Sequence, residues 1–237
     1  HLQQGLPSGS CAILSDDPVL LSFLRWQELK KGRAQKELFY DTRYAAYTDY
    51  HKFQVKHQPG LWPAVFASYT NNVELRPRAM VHFLDLIAEK MPIVYLQPSF
   101  GYYFERFQLI PRGITYPLQQ YSTNTLLPGP LSTDIIKANE EFWRSFDESL
   151  LPVLKRLQPT DKVRDMPGWQ EALYSRLHLK RERVYFAEGL AMRYSRASVH
   201  WAVEQQKLGQ WEVAASSLER ALVLNPENIA AKINLAY

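Results

Sequence analysis

The spacing of apolar positions changes near the middle of this chain. In the first half they form short runs of strand length, bounded by turn residues; in the second half they recur at helical intervals over long stretches. Residues 11–15 (CAILS) are the first run. Asp16-Asp17-Pro18 follows, then VLLSFLRWQELKKG, in which Val19, Phe23 and Trp26 share a helix face with Leu20 and Leu24 beside them. Asp17 suits the cap and Pro18 the first helical position. Lys30 and Lys31 stand in the last turn, where cations complement the helix dipole, and Gly32 ends it. Residues 37–41 (ELFYD) read as a second strand. Strand, helix, strand in this order predicts a right-handed parallel crossover.

Residues 44–72 are rich in Tyr, His and Trp. Tyr47, Tyr50, Phe53 and His57 fall on one helical face closed by Pro59-Gly60, while residues 62–69 suit either helix or buried loop. Residues 77–90 predict a helix with Met80, Phe83, Leu84 and Ile87 inward, and residues 93–96 a third strand. After the aromatic segment FGYYFERFQLIP, residues 114–118 (ITYPL) read as a last strand, which Pro117 places at an edge. The expected fold is therefore an α/β domain over residues 1–121, with a small, mostly parallel sheet and flanking helices. Residues 122–133, with Pro128-Gly129-Pro130, read as a linker. Residues 134–237 read as an all-α region. Its first helix is capped by Thr133 or Asp134 and runs to about Leu157, with Phe142, Trp143, Phe146 and Leu150 as core and Pro152 kinking or splitting it. From Trp169 to Lys207 the pattern is helical almost without a break. One helix is expected from about Lys180 to Lys207, since Gly189 costs only about 1 kcal/mol relative to alanine. Each large apolar side chain buried contributes roughly 1.5–3 kcal/mol. The first half of this helix should lean on residues 134–157, and Trp201 should pack near Ala214 and Leu218.

Residues 196–237 organise the second half. Gly209 sits in a turn between two helical patterns. Ala214, Leu218 and Ala221 then share one face, two of them small enough to admit a close neighbour, and Asn225-Pro226 stops the helix. A new pattern starts at Ile229. Gly209, Trp211, Ala214, Leu218, Ala221 and Pro226 stand where a tetratricopeptide repeat has its glycine, aromatic, alanine, aromatic, alanine and proline, and the segment resembles that helix-turn-helix unit of about 34 residues. It departs in having Leu218 in place of an aromatic and Trp201 in place of leucine. The resemblance implies an interaction module that stacks repeats and presents a groove to a peptide or protein partner. The chain is expected to be a fragment truncated in its second repeat.

A second resemblance covers the first 120 or so residues. Ala12-Ile13-Leu14-Ser15-Asp16-Asp17, Pro92-Ile93-Val94-Tyr95 and Arg112-Gly113-Ile114-Thr115-Tyr116 are similar to three blocks in the soluble tail of bacterial polytopic membrane proteins related to protein O-mannosyltransferases, a group of unknown function. The chain lacks that group's glycine beside the aspartates and has Arg112 where an acidic residue is common. The resemblance implies a soluble, extracytoplasmic C-terminal fragment of a larger membrane protein of glycosyltransferase type, with glycosyl transfer belonging to membrane spans ahead of it.

Composition narrows the classes. A chain of 237 residues, 46% apolar, holds one large or two small domains with a real core. No apolar run reaches the roughly 18 residues of a membrane span, and the polar residues 1–10 do not read as a cleavable signal peptide. The net charge of +4 is milder than that of nucleic-acid binders, so no nucleic-acid partner is expected. Cys11 is the only cysteine, which removes any disulfide framework or cysteine metal site.

Chemical candidates are few. Asp16 and Asp17 end the first strand and Asp41 the second. At the carboxyl edge of a parallel sheet these three carboxylates suit Mg²⁺ or Ca²⁺; alternatively Asp17 caps a helix, and Asp16 and Asp41 are solvated turn residues. Adjacent aspartates do not match an aspartyl-phosphate phosphatase, and no glycine-rich phosphate loop follows. His51, His57, His178 and His200 lack zinc-site spacing. Arg176, Lys180 and Arg183, with Arg193 and Arg196 further on, form a basic stripe that either meets an acidic partner or anionic lipid, or is a solvated face. Phe100, Tyr102, Tyr103, Phe104 and Phe107 either line a sugar pocket or fill the core. No nucleophile, base and orienter stand together, so no catalytic residue, cofactor or activity of the fragment itself is expected. The alternative to an interaction module is a carbohydrate- or metal-binding accessory domain or enzyme using the acidic sheet edge.

Overall fold

The structure, a computed structural model, describes residues 6, 7, 9–32, 36–96, 105–121, 128–157, 167–177 and 184–236. The chain divides into two units, His1–Ile135 and Ile136–Tyr237.

The first unit is built on a sheet. Strand β1 (Ala12–Ser15) is buried along its whole length, as expected of a strand covered on both faces. Helix α1 (Pro18–Lys30) follows and returns the chain to β2 (Leu38–Asp41), parallel to β1 in the register Ala12↔Leu38 to Ser15↔Asp41. Helices α2 (Thr48–His57) and α3 (Pro77–Ala88) lead to β3 (Ile93–Tyr95), parallel to β1 on its other side. Strands β4 (Phe107–Leu109) and β5 (Tyr116–Gln120) are joined through a turn at Gly113 (φ 63°), and both of their pairings are antiparallel. Among the described residues the strand order is β2-β1-β3-β5-β4. The sheet is therefore mixed, with two parallel and two antiparallel pairings, where a mostly parallel one was expected.

The last strand is also interior, between β3 and β4, and Pro117 does not mark an edge. In an antiparallel ladder a residue's N–H and C=O face the same neighbour. The Pro117 carbonyl accepts from Ile110 N at 2.9 Å, just past the end of β4. The missing N–H thus falls where β4 has already ended, and pairing with β3 is untouched.

Side-chain alternation splits the core into two layers. Ile13, Phe39 and Val94 join Cys11, Leu96, Leu21 and Leu24 beneath α1. Ala12, Leu14, Leu38, Tyr40, Ile93 and Tyr95 face Met80, Phe83, Leu84 and Ile87 of α3, all four inward as expected, together with Trp62 and Phe66. Two helices are rotated from the apparent pattern. Helix α1 buries Leu21, Leu24 and Glu28 and leaves Val19, Phe23 and Trp26 exposed. Helix α2 buries Thr48, His51 and Gln54 and turns Tyr47 and Phe53 outward.

The second unit is helical. The expected helix over residues 134–157 is split before Pro152 into α4 (Thr133–Ser149) and α5 (Leu151–Leu157). Helix α6 (Gly168–Arg176) follows. Helix α7 (Tyr185–Lys207) runs unbroken through Gly189; residues 178–183, where it was expected to start, lie outside the described residues. Tyr194 of α7 stacks on Phe146 of α4 at 4.4 Å. Helices α8 (Trp211–Leu224) and α9 (Ile229–Ala236) complete the unit. No helix among the described residues is long and apolar enough to cross a membrane.

Candidate functional site

Two places gather the chemistry. The first is the edge of the sheet where β1 and β2 end together, with Ser15 opposite Asp41. Strand β1 has β2 on one side and β3 on the other, the arrangement that opens a crevice at the carboxyl ends of the strands. Asp16 and Asp17 follow β1 and Asp41 ends β2, and Asp17 and Asp41 are engaged. Asp17 Oδ1 accepts from Val19 N at 2.9 Å and Leu20 N at 3.0 Å, capping α1. Asp41 accepts from Arg43 Nε at 3.0 Å and Nη2 at 2.7 Å, a bidentate pair. Arg43 thus supplies the positive charge that a divalent ion would bring. Asp16 is half-buried beside them. Among the described residues no group of three His, Cys, Asp or Glu is placed to hold a metal. Cys11 lies deep in the sheet; burial, with Glu37 and Glu28 nearby, pushes its thiol up to about 12, so it stays protonated.

Beside this edge, between α1 and α2, lies a cleft of about 670 Å³. Tyr44, Tyr47 and Phe53 line it while remaining exposed, and Ser22, Arg25 and Asn72 stand on its rim. The sequence pattern placed Tyr47 and Phe53 on a helix face without revealing where that face points. What turns α2 over is His51. Its Nε2 lies 2.8 Å from the Ala45 carbonyl, Trp62 Nε1 donates to its Nδ1 at 3.3 Å, and its ring meets Phe83 at 4.5 Å and Phe66 at 4.9 Å. Of the aromatic run considered for a sugar pocket, Phe107 is buried in β4; Phe100, Tyr102, Tyr103 and Phe104 lie outside the described residues.

The second place is the α7–α8–α9 array. Gly209 has φ 75°; Gln210 N donates to Gln205 O and Gly209 N to Gln206 O, each at 2.9 Å. This is a Schellman ending that reverses the chain at a residue without a Cβ penalty. Ala214, Leu218 and Ala221 pack with Val199, Ala202 and Ala231. Ala202 holds the place expected for Trp201, which is buried instead along a groove with Trp143 and Arg220. Small residues let the backbones approach, and serines use the proximity. Ser195 Oγ donates to Ala221 O and Ser198 Oγ to Ser217 O, both at 2.7 Å. Asn228 caps α9 by accepting from Ala231 N at 3.1 Å and donates to Ser195 Oγ at 2.8 Å. Trp211 and Pro226 stay exposed at the turns. Arg220 locks the pair to α4 through Asp147, at 2.7 and 2.9 Å.

The basic stripe resolves in part. Arg176 ends α6 and is exposed; Lys180 and Arg183 lie outside the described residues. Arg193 and Arg196 lie on α7 at spacings that put His200 and Lys207 on the same face. Glu204 joins them and pairs with Lys207 at 2.6 Å. His200 was weighed in the sequence only as a metal ligand and Lys207 only as a helix end; the helix phase alone connects them to the arginines. No protein-family model matches this chain, and no match was found among curated proteins or solved structures.

Proposed function

We propose that the chain is a non-catalytic interaction module that holds an acidic peptide segment along the Arg193–Arg196–His200–Lys207 face of α7. The observation that carries this reading is the α7–α8–α9 array, a helix pair closed at Gly209, restarted after Asn225-Pro226 and cemented by Ala and Ser contacts. That is how a tetratricopeptide-type repeat is built, and such arrays use one side for stacking and leave the other for a partner. Three cations against Glu204 give this side a positive bias, which favours acidic segments and raises association rates. The resemblance of three sequence blocks to the tails of bacterial membrane proteins related to protein O-mannosyltransferases supports an extracytoplasmic setting beside a membrane glycosyltransferase. Two of those blocks are β1 and β3, the centre of the sheet.

The test uses fluorescence polarisation with a labelled dodecapeptide rich in Asp and Glu. Saturable binding that weakens with salt and is lost in Arg196→Glu/Lys207→Glu is expected. Equal binding by the doubly reversed variant, or binding only to vesicles containing phosphatidylserine, defeats the reading.

A further inference from the structure

We propose that the cleft between α1 and α2 binds a neutral saccharide. The inference uses residues of the first unit alone and does not depend on the peptide reading. Its ground is that α2 sends Tyr50, His51 and Val55 to the core and still leaves rings at and beside it exposed around one cleft. An amphipathic helix normally turns its rings to the core. Here Thr48, His51 and Gln54 are buried, while Phe53 stays 55% and Tyr47 43% exposed, and Tyr44 on the loop before α2 is 48% exposed. All three rings border one concavity. Its size lies within the roughly 300–1,000 Å³ typical of small-molecule sites.

The remaining lining decides the ligand class. Tyr44 and Tyr47 hydroxyls make no hydrogen bond among the described residues, and Ser22, Arg25 and the Asn72 amide add donors and acceptors around the rings. Charge is balanced locally: Asp41 is paired with Arg43 at 2.7 Å and Asp49 with Lys52 at 2.8 Å. Arg25 disfavours a quaternary ammonium, for which an aromatic cage would otherwise suit. A ligand with apolar faces and a hydroxylated edge fits what is left, and a pyranose has both: its axial C–H face lies on an aromatic ring while its equatorial hydroxyls reach the rim.

The experiment is saturation-transfer NMR on the whole chain with maltotriose, cellotriose and mannotriose, each followed by calorimetry. Tetramethylammonium and inorganic phosphate serve as competing chemistries. At least one trisaccharide is expected to bind, with Tyr47→Ala and Phe53→Ala each weakening it about tenfold. Tyr44→Phe, which keeps the ring, should weaken it less, and Trp26→Ala, an exposed ring outside the cleft, should leave it unchanged. Because these rings are exposed, the variants keep the fold, which circular dichroism verifies. The proposal is overturned if no trisaccharide binds, if only tetramethylammonium or phosphate binds, or if binding survives both alanine substitutions.

Discussion

The ring cluster of the first unit and the α7–α8–α9 contact of the second are closed by different means. The first gathers large rings around one another. Phe83, fully buried, lies 4.5 Å from the His51 ring, 5.2 Å from Trp62, 5.6 Å from Tyr40 and 5.7 Å from Phe66. The second unit uses rings where α4 meets α7, at Trp143, Phe146 and Tyr194, but removes side chains between α7, α8 and α9, where Ala202, Ala214, Ala221 and Ala231 allow an approach close enough for serine hydroxyls to reach the carbonyls of the next helix. A ring-filled core tolerates irregular loops, because the rings close gaps wherever the chain places them. A core of small residues demands regular helices at one spacing. The candidate sites follow this difference: a cleft bordered by exposed rings in the first unit, and a row of charged residues along α7 in the second.

The largest test of this contrast is Phe83→Ala. With a ring removed from the centre of the cluster, unfolding in urea should show a loss of about 3–5 kcal/mol. Val19→Ser, equally apolar in sequence but 76% exposed, should stay within about 0.5 kcal/mol. The corresponding break in the second unit is an addition. Ala221→Leu, at a position with no exposure, should cost about 1–3 kcal/mol by overpacking, and Ser195→Ala beside it should cost less than Ala221→Leu.

How far these cores could be read in the sequence depended on what fixed each helix's rotation. Helix α3 was legible because Met80, Phe83, Leu84 and Ile87 are its one apolar stripe. Helix α1 carries two candidate stripes, Val19–Phe23–Trp26 and Leu21–Leu24, and the second is the one that packs on Ile13, Phe39 and Val94 of the sheet. Helix α2 was read with its rings as a face because the determinant is non-local: His51 is held by Ala45, Trp62, Phe66 and Phe83, and a polar residue in a window gives no sign of that. The mixed sheet was hidden for a similar reason, since β4 lies at the end of an aromatic run without alternation. The helical turn-and-restart of α7, α8 and α9 was legible because its signals, Gly209, the Ala214–Leu218–Ala221 face and Asn225-Pro226, are all local. The cleft was not, since its walls come from residues 18 to 72.

A pH titration sharpens the role of His51. Burial holds its imidazole below the ordinary 6.5, against an opposing hydrogen bond with Ala45. The unfolded chain therefore takes up its proton near pH 6.5, and the folded chain only at lower pH. The stability this contributes is present above pH 6.5 and is lost as pH falls from there toward the folded value, by at most about 1.4 kcal/mol per pH unit. His51→Phe should flatten urea-derived stability between pH 7 and 5; an unchanged slope would show that the ring is not held neutral. The smallest expected effect is at the sheet edge. Asp17→Ala should lower stability by about 1 kcal/mol through the lost cap, whereas Asp16→Ala, which makes no such bond, should change it by no more than about 0.5 kcal/mol.

The claim that the second unit recognises partners through the open side of α7 is tested most directly by amide chemical-shift mapping. The whole chain, labelled with nitrogen-15, is titrated with the acidic dodecapeptide. Shifts are expected along Arg193, Arg196, His200 and Lys207, fading as salt is raised, while Ala12–Ser15 and Leu38–Asp41 stay in place. Shifts centred on the sheet, or none at saturating peptide, would contradict the account.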